Sequence, residues 1–409
     1  MAATVLGLVA VGCSGGDGSQ GSSSTTTSPS TSSSGSTTAP TAATDPPKKI
    51  NTIAGMPGVS DPNNLYSDTT GKLSPAVDGA LTRVYVPNRG SNDVSVIDPA
   101  TMQVIDTFDV GVNPQHIVPS WDLKTLWVTN NAEGRTDGTL TPVDPTTGRP
   151  KGPGIAVDDP YNMYFTPNGT SAIIVAEARK RLDFLDPQTM QHQVSVDVPD
   201  CAGVNHADFA IDGTFAIFTC EFQGALVKVD IVNHTVLGYL TLSGGTSGMP
   251  QDIRVSPDGS TFYVAEMMRG GVYTIDPYTF TETGFIPTGT GTHGLYPNRP
   301  ANKLYVANRG QNHVGNNTRN GPGSVSVIDF ANNAIVVTWD IPGGGSPDMG
   351  NVSADGNTLW LSGRYDDVVY AINTTSGEVT KIPVGREPHG LTVWPQPGRY
   401  SLGHTGNMR

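Results

Sequence analysis

Four histidines, His116, His206, His293 and His389, recur at the opening of strand-like segments, with Asn162 and Asp252 at the same point of other copies and Asp348 one residue out of phase. A second recurring position, at the end of the following segment, holds Asn88, Asn130, Glu177, Glu221, Glu266, Asn308 and Gly363, so three consecutive copies carry Glu where Asn is the rule. Carboxylates gathered near His206 and Asp252 repel one another and raise each other's pKa unless a cation, an Arg or a bound substrate relieves them. A divalent metal is one such relief, with Glu177, His206, Glu221, Asp252 and Glu266 as candidate ligands. Mixed imidazole and carboxylate donors favour Zn, Mn, Fe or Ni, whereas carboxylates with carbonyls favour Ca. Neighbouring loops supply Arg89, Arg179, Arg269, Arg309, Arg364 and Arg386, suited to those carboxylates or to an anionic ligand. The plainer alternative is that His and Asn cap strand ends by hydrogen bonding while Glu pairs with Arg.

The elements that must position these groups repeat. Asp98, Asp144, Asp186, Asp230, Asp276, Asp329 and Asn373 each close a strand of one unit, at spacings of 46, 42, 44, 46, 53 and 44 residues. A unit of that length built of short strands cannot bury its own apolar faces and must stack on its neighbours. In the unit Met249 to Phe280, Pro250–Val255 alternates in strand fashion, Ser256–Gly259 turns, Thr261–Ala265 is apolar, Gly270–Gly271 turns again, and Val272–Ile275 leads to Asp276. With a fourth strand near Thr281–Pro287, each unit is a four-stranded antiparallel blade. The spacing therefore predicts an all-β, seven-bladed β-propeller.

Tyr85-Val86-Pro87-Asn88, Trp127-Val128-Thr129-Asn130 and Tyr305-Val306-Ala307-Asn308, with Val94–Asp98 and Val325–Asp329, resemble the YVTN repeat of YncE-like β-propellers over residues 78–397. The resemblance implies that the strand opening on Pro-x-His or Pro-x-Asp is innermost, so that its start and the end of the next strand share one rim of a central funnel. The first complete strand is then a second strand and the last an innermost one, and the ring closes by pairing the segment His389–Trp394 with N-terminal strands near Val84–Val110. Residues 48–77 become an irregular leading segment and 398–409 a tail whose loss is expected to matter little. An insertion of Asn- and Gly-rich sequence, Gln311–Gly323, falls in a loop of the same rim, where a specificity loop would sit.

A formal charge of -13 with no basic stripe argues against a nucleic-acid partner. No Lys or Arg precedes Lys48. The apolar run Thr4–Val11 is too short to span a bilayer and sits where a signal-peptide core would. Residues 14–47 are almost wholly Ser, Thr, Gly, Pro and Ala, a composition suited to a flexible tether. Together residues 1–47 resemble a bacterial lipoprotein leader and linker, with Ala10–Cys13 as lipobox and Cys13 lipidated. That resemblance implies an exported protein held to the outer face of the membrane by lipid alone. Cys201 and Cys220 flank two strands of one repeat; export permits a disulfide between them, and two buried free thiols are the alternative.

Gly289–Gly294 matches a dinucleotide pattern by letters only, since no βαβ unit surrounds it. No P-loop, Gly-x-Ser-x-Gly elbow, Cys-x-x-Cys-His or His-Glu-x-x-His occurs. Two functions remain in view. One is a monomeric binding module that holds a protein, glycan or small-molecule ligand at rim and funnel through His116, His206, His293, His389, Glu177, Glu221, Glu266, Asp252, Asp348, Arg179, Arg309 and Arg364. The other, drawn from propeller lactonases, is a hydrolase in which Glu221 activates water and His206, with an Arg or a metal, polarises the carbonyl.

Overall fold

The computed structural model describes residues 59–311, 321–404 and 406–409. Cys13, the Ser/Thr-rich segment and most of the Gln311–Gly323 insertion lie outside them. Seven antiparallel sheets follow one another along the chain, six of four strands and one with a fifth short strand, Ile155–Ala156. We number them blades 1 to 7. The innermost strands of blades 2 to 7 are Pro114–Pro119, Pro160–Phe165, Val204–Phe209, Pro250–Val255, Thr292–Pro297 and Pro347–Val352. Blade 1 is closed by the chain's last strand, Thr392–Trp394, which pairs with Arg83–Asn88 in the register Val84 to Val393. That closure leaves no innermost edge exposed.

The repeating Asp has a local task. In Asp98, Asp144, Asp186, Asp230, Asp276 and Asp329 the Oδ1 atom accepts the backbone N–H two residues on, and Asn373 does the same, so each starts the turn into the outermost strand. The repeating Asn is a staple. Asn88 donates to Asp93 and Ser95, Asn130 to Thr141, and Asn308 to Ser324 and Ser326, fastening the end of the second strand to the third. Inward-facing side chains alternate with polar ones, and apolar cores form between neighbouring blades, as where Ile173, Val175 and Phe184 of blade 3 meet Phe209, Phe218 and Val227 of blade 4.

Side chains also stitch each innermost strand to the next. Tyr164 Oη accepts from Ala207 N at 2.8 Å and Tyr296 Oη from Gly350 N at 2.7 Å. Asp208 accepts from Val255 N and Asp252 from Leu295 N, both at 2.9 Å, and Thr392 donates to the Ile117 carbonyl at 2.6 Å. These buried side chains satisfy backbone groups that sheet pairing within a blade leaves open: the Tyr and Asp accept from backbone N–H, and Thr392 donates to a carbonyl.

The tail departs from the expectation of a dispensable end. Tyr400 and Leu402 enter the core between blades 3 and 4, Gly403 bridges Tyr164, and His404 and Arg409 are buried. Arg409 Nη2 lies 2.6 Å from Asp208 Oδ1, and Asn407 donates to the same oxygen at 3.1 Å. Part of the leading segment joins this end: Tyr66 donates to the Val255 carbonyl and Asp68 pairs with Arg399 at 3.1 Å.

Candidate functional site

Every innermost strand opens with a bulge. In blade 5, Pro250 pairs with Glu266 but Ile253 with Val264, so Gln251 and Asp252 together oppose Ala265, and the same one-residue slip occurs in the other six blades. A bulge turns two successive residues where a regular strand offers one. Pairing therefore defines two rings. One holds Gln115, Tyr161, Asn205, Gln251, His293, Asp348 and His389; the next residue in each strand gives His116, Asn162, His206, Asp252, Gly294, Met349 and Gly390. His293 and His389 thus share the position of Asp348, which is not the odd one out, and they do not superpose on His116 and His206.

The Glu series divides in the same way. Register places Ala176, Cys220 and Glu266 at the Asn position, with Glu177 and Glu221 one residue beyond, beside the counterparts Arg89, Asn131, Met267, Arg309 and Arg364. Only Glu266 replaces the structural Asn. Its Oε1 accepts from Met249 N at 2.8 Å and Met268 N at 2.9 Å, holding its own loop, so it is not gathered with the other two. In blade 4 the staple is covalent: Cys220 is bonded to Cys201, with Cα atoms 4.8 Å apart.

Around the funnel, charges segregate. Glu177 and Glu221, on blades 3 and 4, are both half-buried. Burial and then the neighbouring Glu221 push the Glu177 carboxyl well above the ordinary range. Burial likewise raises Glu221, against the opposing pull of Gln251, Arg309 and the 2.7 Å hydrogen bond from Asn205. Opposite them, Arg309 binds Asp348 at 2.8 Å and approaches His293 Nε2 at 2.7 Å. Among the described residues the buried Arg364 Nη1 has no hydrogen-bond partner, and burial with Arg309 and Arg89 nearby depresses its pKa. Both sides act on Tyr161: burial raises its hydroxyl pKa well above the usual value, Glu177 and Glu221 push the same way, and Arg364 and Arg309 oppose them.

Below Tyr161 the rings of His116, His206, His389 and His404 pack on one another, with centroids 4.5 to 5.5 Å apart among contacting pairs. Burial holds all four pKa values well below that of free imidazole, so they are neutral. His404 belongs to the tail, and neither it nor Tyr161 fits a repeat signal in the sequence. Other candidate residues serve the frame. Asp252 accepts from Ile253 N and Leu295 N and binds buried Arg254 at 2.8 Å. Arg179 turns to Asp158 at 3.1 Å. Asp348 draws in Arg309, His293 and His389, which hold its carboxyl below the ordinary range against burial. The five residues proposed as metal ligands are thus not one donor set: Glu177 and Glu221 stand at the mouth, His206 among imidazoles, Asp252 on Arg254, and Glu266 in its loop.

The closed seven-bladed ring, with a polar, charge-divided funnel at its axis, places the chain in the class of β-propellers. The chain belongs to the YNCE-like beta-propeller family, whose model matches residues 55–397. Among curated proteins, none matches this sequence. Its fold is similar to a putative 6-phosphogluconolactonase from Bacteroides uniformis, at 15% identity and TM-score 0.59 over 76% of this chain and 98% of that one. Hydrazine synthase of Kuenenia stuttgartiensis aligns at 16% identity and TM-score 0.56, covering 82% of this chain and 99% of that one. A functionally unknown protein from Desulfotomaculum acetoxidans aligns at 14% and 0.59, over 76% and 98%. Identities this low establish shared architecture and no shared chemistry.

Proposed function

We propose that this propeller is an exported, lipid-anchored binding module whose funnel takes a small zwitterionic ligand. The observation that carries the reading is Arg364, whose buried Nη1 has no hydrogen-bond partner among the described residues and whose charge acts on Tyr161 against those of Glu177 and Glu221. A ligand carboxylate meets the guanidinium in a charge-assisted pair, and its cationic group relieves the mutual repulsion of the two glutamates. Tyr161 supplies a flat face and a hydroxyl. Calorimetric titration with a panel of zwitterions, matched cations and matched anions tests this. Binding of zwitterions alone, lost in Arg364→Gln and in Glu221→Gln, is the expected result; equal response to all three classes, or none, rejects it.

Hydrolysis of a lactone is the second reading, favoured by the raised carboxyl pKa of Glu177 and Glu221, which makes either a stronger proton acceptor than an ordinary carboxylate. Turnover of lactones that disappears in Glu221→Gln selects it over simple binding. The anchor rests on Ala10–Cys13: Cys13→Ser is expected to release the protein from membranes into the soluble fraction, and firm retention of that variant removes the lipid from the proposal.

A further inference from the structure

We propose that His116, His206 and His404 form a binding site for one divalent first-row transition ion of borderline softness, with zinc as the type. The proposal goes beyond the zwitterion site and does not rest on it. Three imidazoles arrive from blade 2, blade 4 and the tail, all fully buried, and one ligand atom of each lies within 4.8 Å of the other two. Among the described residues neither nitrogen of His116 has a hydrogen-bond partner, nor does Nε2 of His206 or of His404. Unmet polar atoms at zero exposure are costly, and a metal is the ligand that satisfies several imidazole lone pairs at once.

The surroundings fit. The three imidazoles are neutral, the form that ligates metal. Asp252 Oδ1 stands 3.3 Å from His404 Nε2, a carboxylate beside the ligating nitrogen and close enough to offset the ion's charge. Asn162 Nδ2 reaches Nδ1 of His206 at 3.2 Å and of His404 at 2.9 Å, so one amide sets the rotation of both. Coordination through Nε2 moves each ring proton to Nδ1, which Asn162 accommodates by turning its amide oxygen from Met163 N toward the rings. Donors in a tetrahedral zinc site stand roughly 3.3 Å apart, so the rings close inward by modest side-chain rotation. The neighbouring group His293, Asp348 and His389 has similar letters but already contains a cation: Arg309 lies 2.8 Å from Asp348 and 2.7 Å from His293 Nε2. An ion there would face the guanidinium directly.

The test uses the full chain stripped with chelator and titrated with Co2+, read by its visible d–d absorption, with Zn2+ as competitor. One equivalent is expected to bind, and His116→Gln, His206→Gln and His404→Gln are each expected to weaken binding by about 100-fold or more, since even outer-shell changes cost 10–100-fold. His293→Gln and His389→Gln should leave the affinity within about threefold. A metal-induced rise in melting temperature, present in wild type and absent from the three variants, guards against loss by misfolding, and His116→Gln removes no protein hydrogen bond. Absence of stoichiometric binding in wild type, or loss caused by the His293 or His389 variants instead, overturns the proposal. Because none of these substitutions touches Arg364 or Glu221, failure here leaves zwitterion binding separately measurable.

Discussion

The two ends of the propeller axis treat charge oppositely. At the tail-sealed end opposite charges pair: Arg409 with Asp208, Arg254 with Asp252, Arg399 with Asp68. At the funnel mouth Glu177 and Glu221 stand together and, among the described residues, Arg364 Nη1 has no hydrogen-bond partner. Breaking a buried pair strands a charge at about 3–5 kcal/mol, so the sealed end is built for stability. The mouth accepts repulsion and desolvation that a stability-driven sequence would have removed, and such frustration is where a ligand gains most.

Ending the chain at Gly385 breaks the comparison most completely. It removes the innermost strand of blade 1 and the sealing tail, and cooperative melting is expected to disappear in calorimetry. Next in size, Arg409→Met strands Asp208 and is expected to lower stability by about 3–5 kcal/mol in urea unfolding. Arg364→Met, an equal change of type at the other end, should leave stability unchanged or raised while abolishing ligand binding. Equal losses from the two substitutions would erase the distinction between the ends.

A finer probe is Asp159, which burial raises to about 6. A carboxyl with a raised folded pKa binds its proton more tightly when folded, so its stability contribution is complete below the usual carboxylate range and is lost as pH rises through 6. Asp159→Asn, at a residue with φ of 50° that Asn tolerates, is expected to melt higher than wild type at pH 8 and to converge with it near pH 4. The smallest effect is expected from Arg179→Ala: it and its partner Asp158 are both partly open to solvent, and the change should stay within about 1 kcal/mol.

Blade number, strand order, ring closure and the turn-forming Asp could all be read from the sequence, because each depends on local spacing and on the two-residue pleat repeated seven times. Which carboxylates meet in the funnel could not. Strand pairing, rather than likeness of letters, fixes which positions superpose: Glu177 and Glu221 fall one residue past the pairing that holds Glu266, and His293 shares the place of Asp348. His404 was further out of reach: it meets Asn162 from 242 residues away, in a tail that carries no repeat signal. Periodicity thus determined the frame by itself, since every blade solves the same local problem of burying its faces. The site, made where the copies differ and where distant segments converge on the axis, was decided only once the ring had closed.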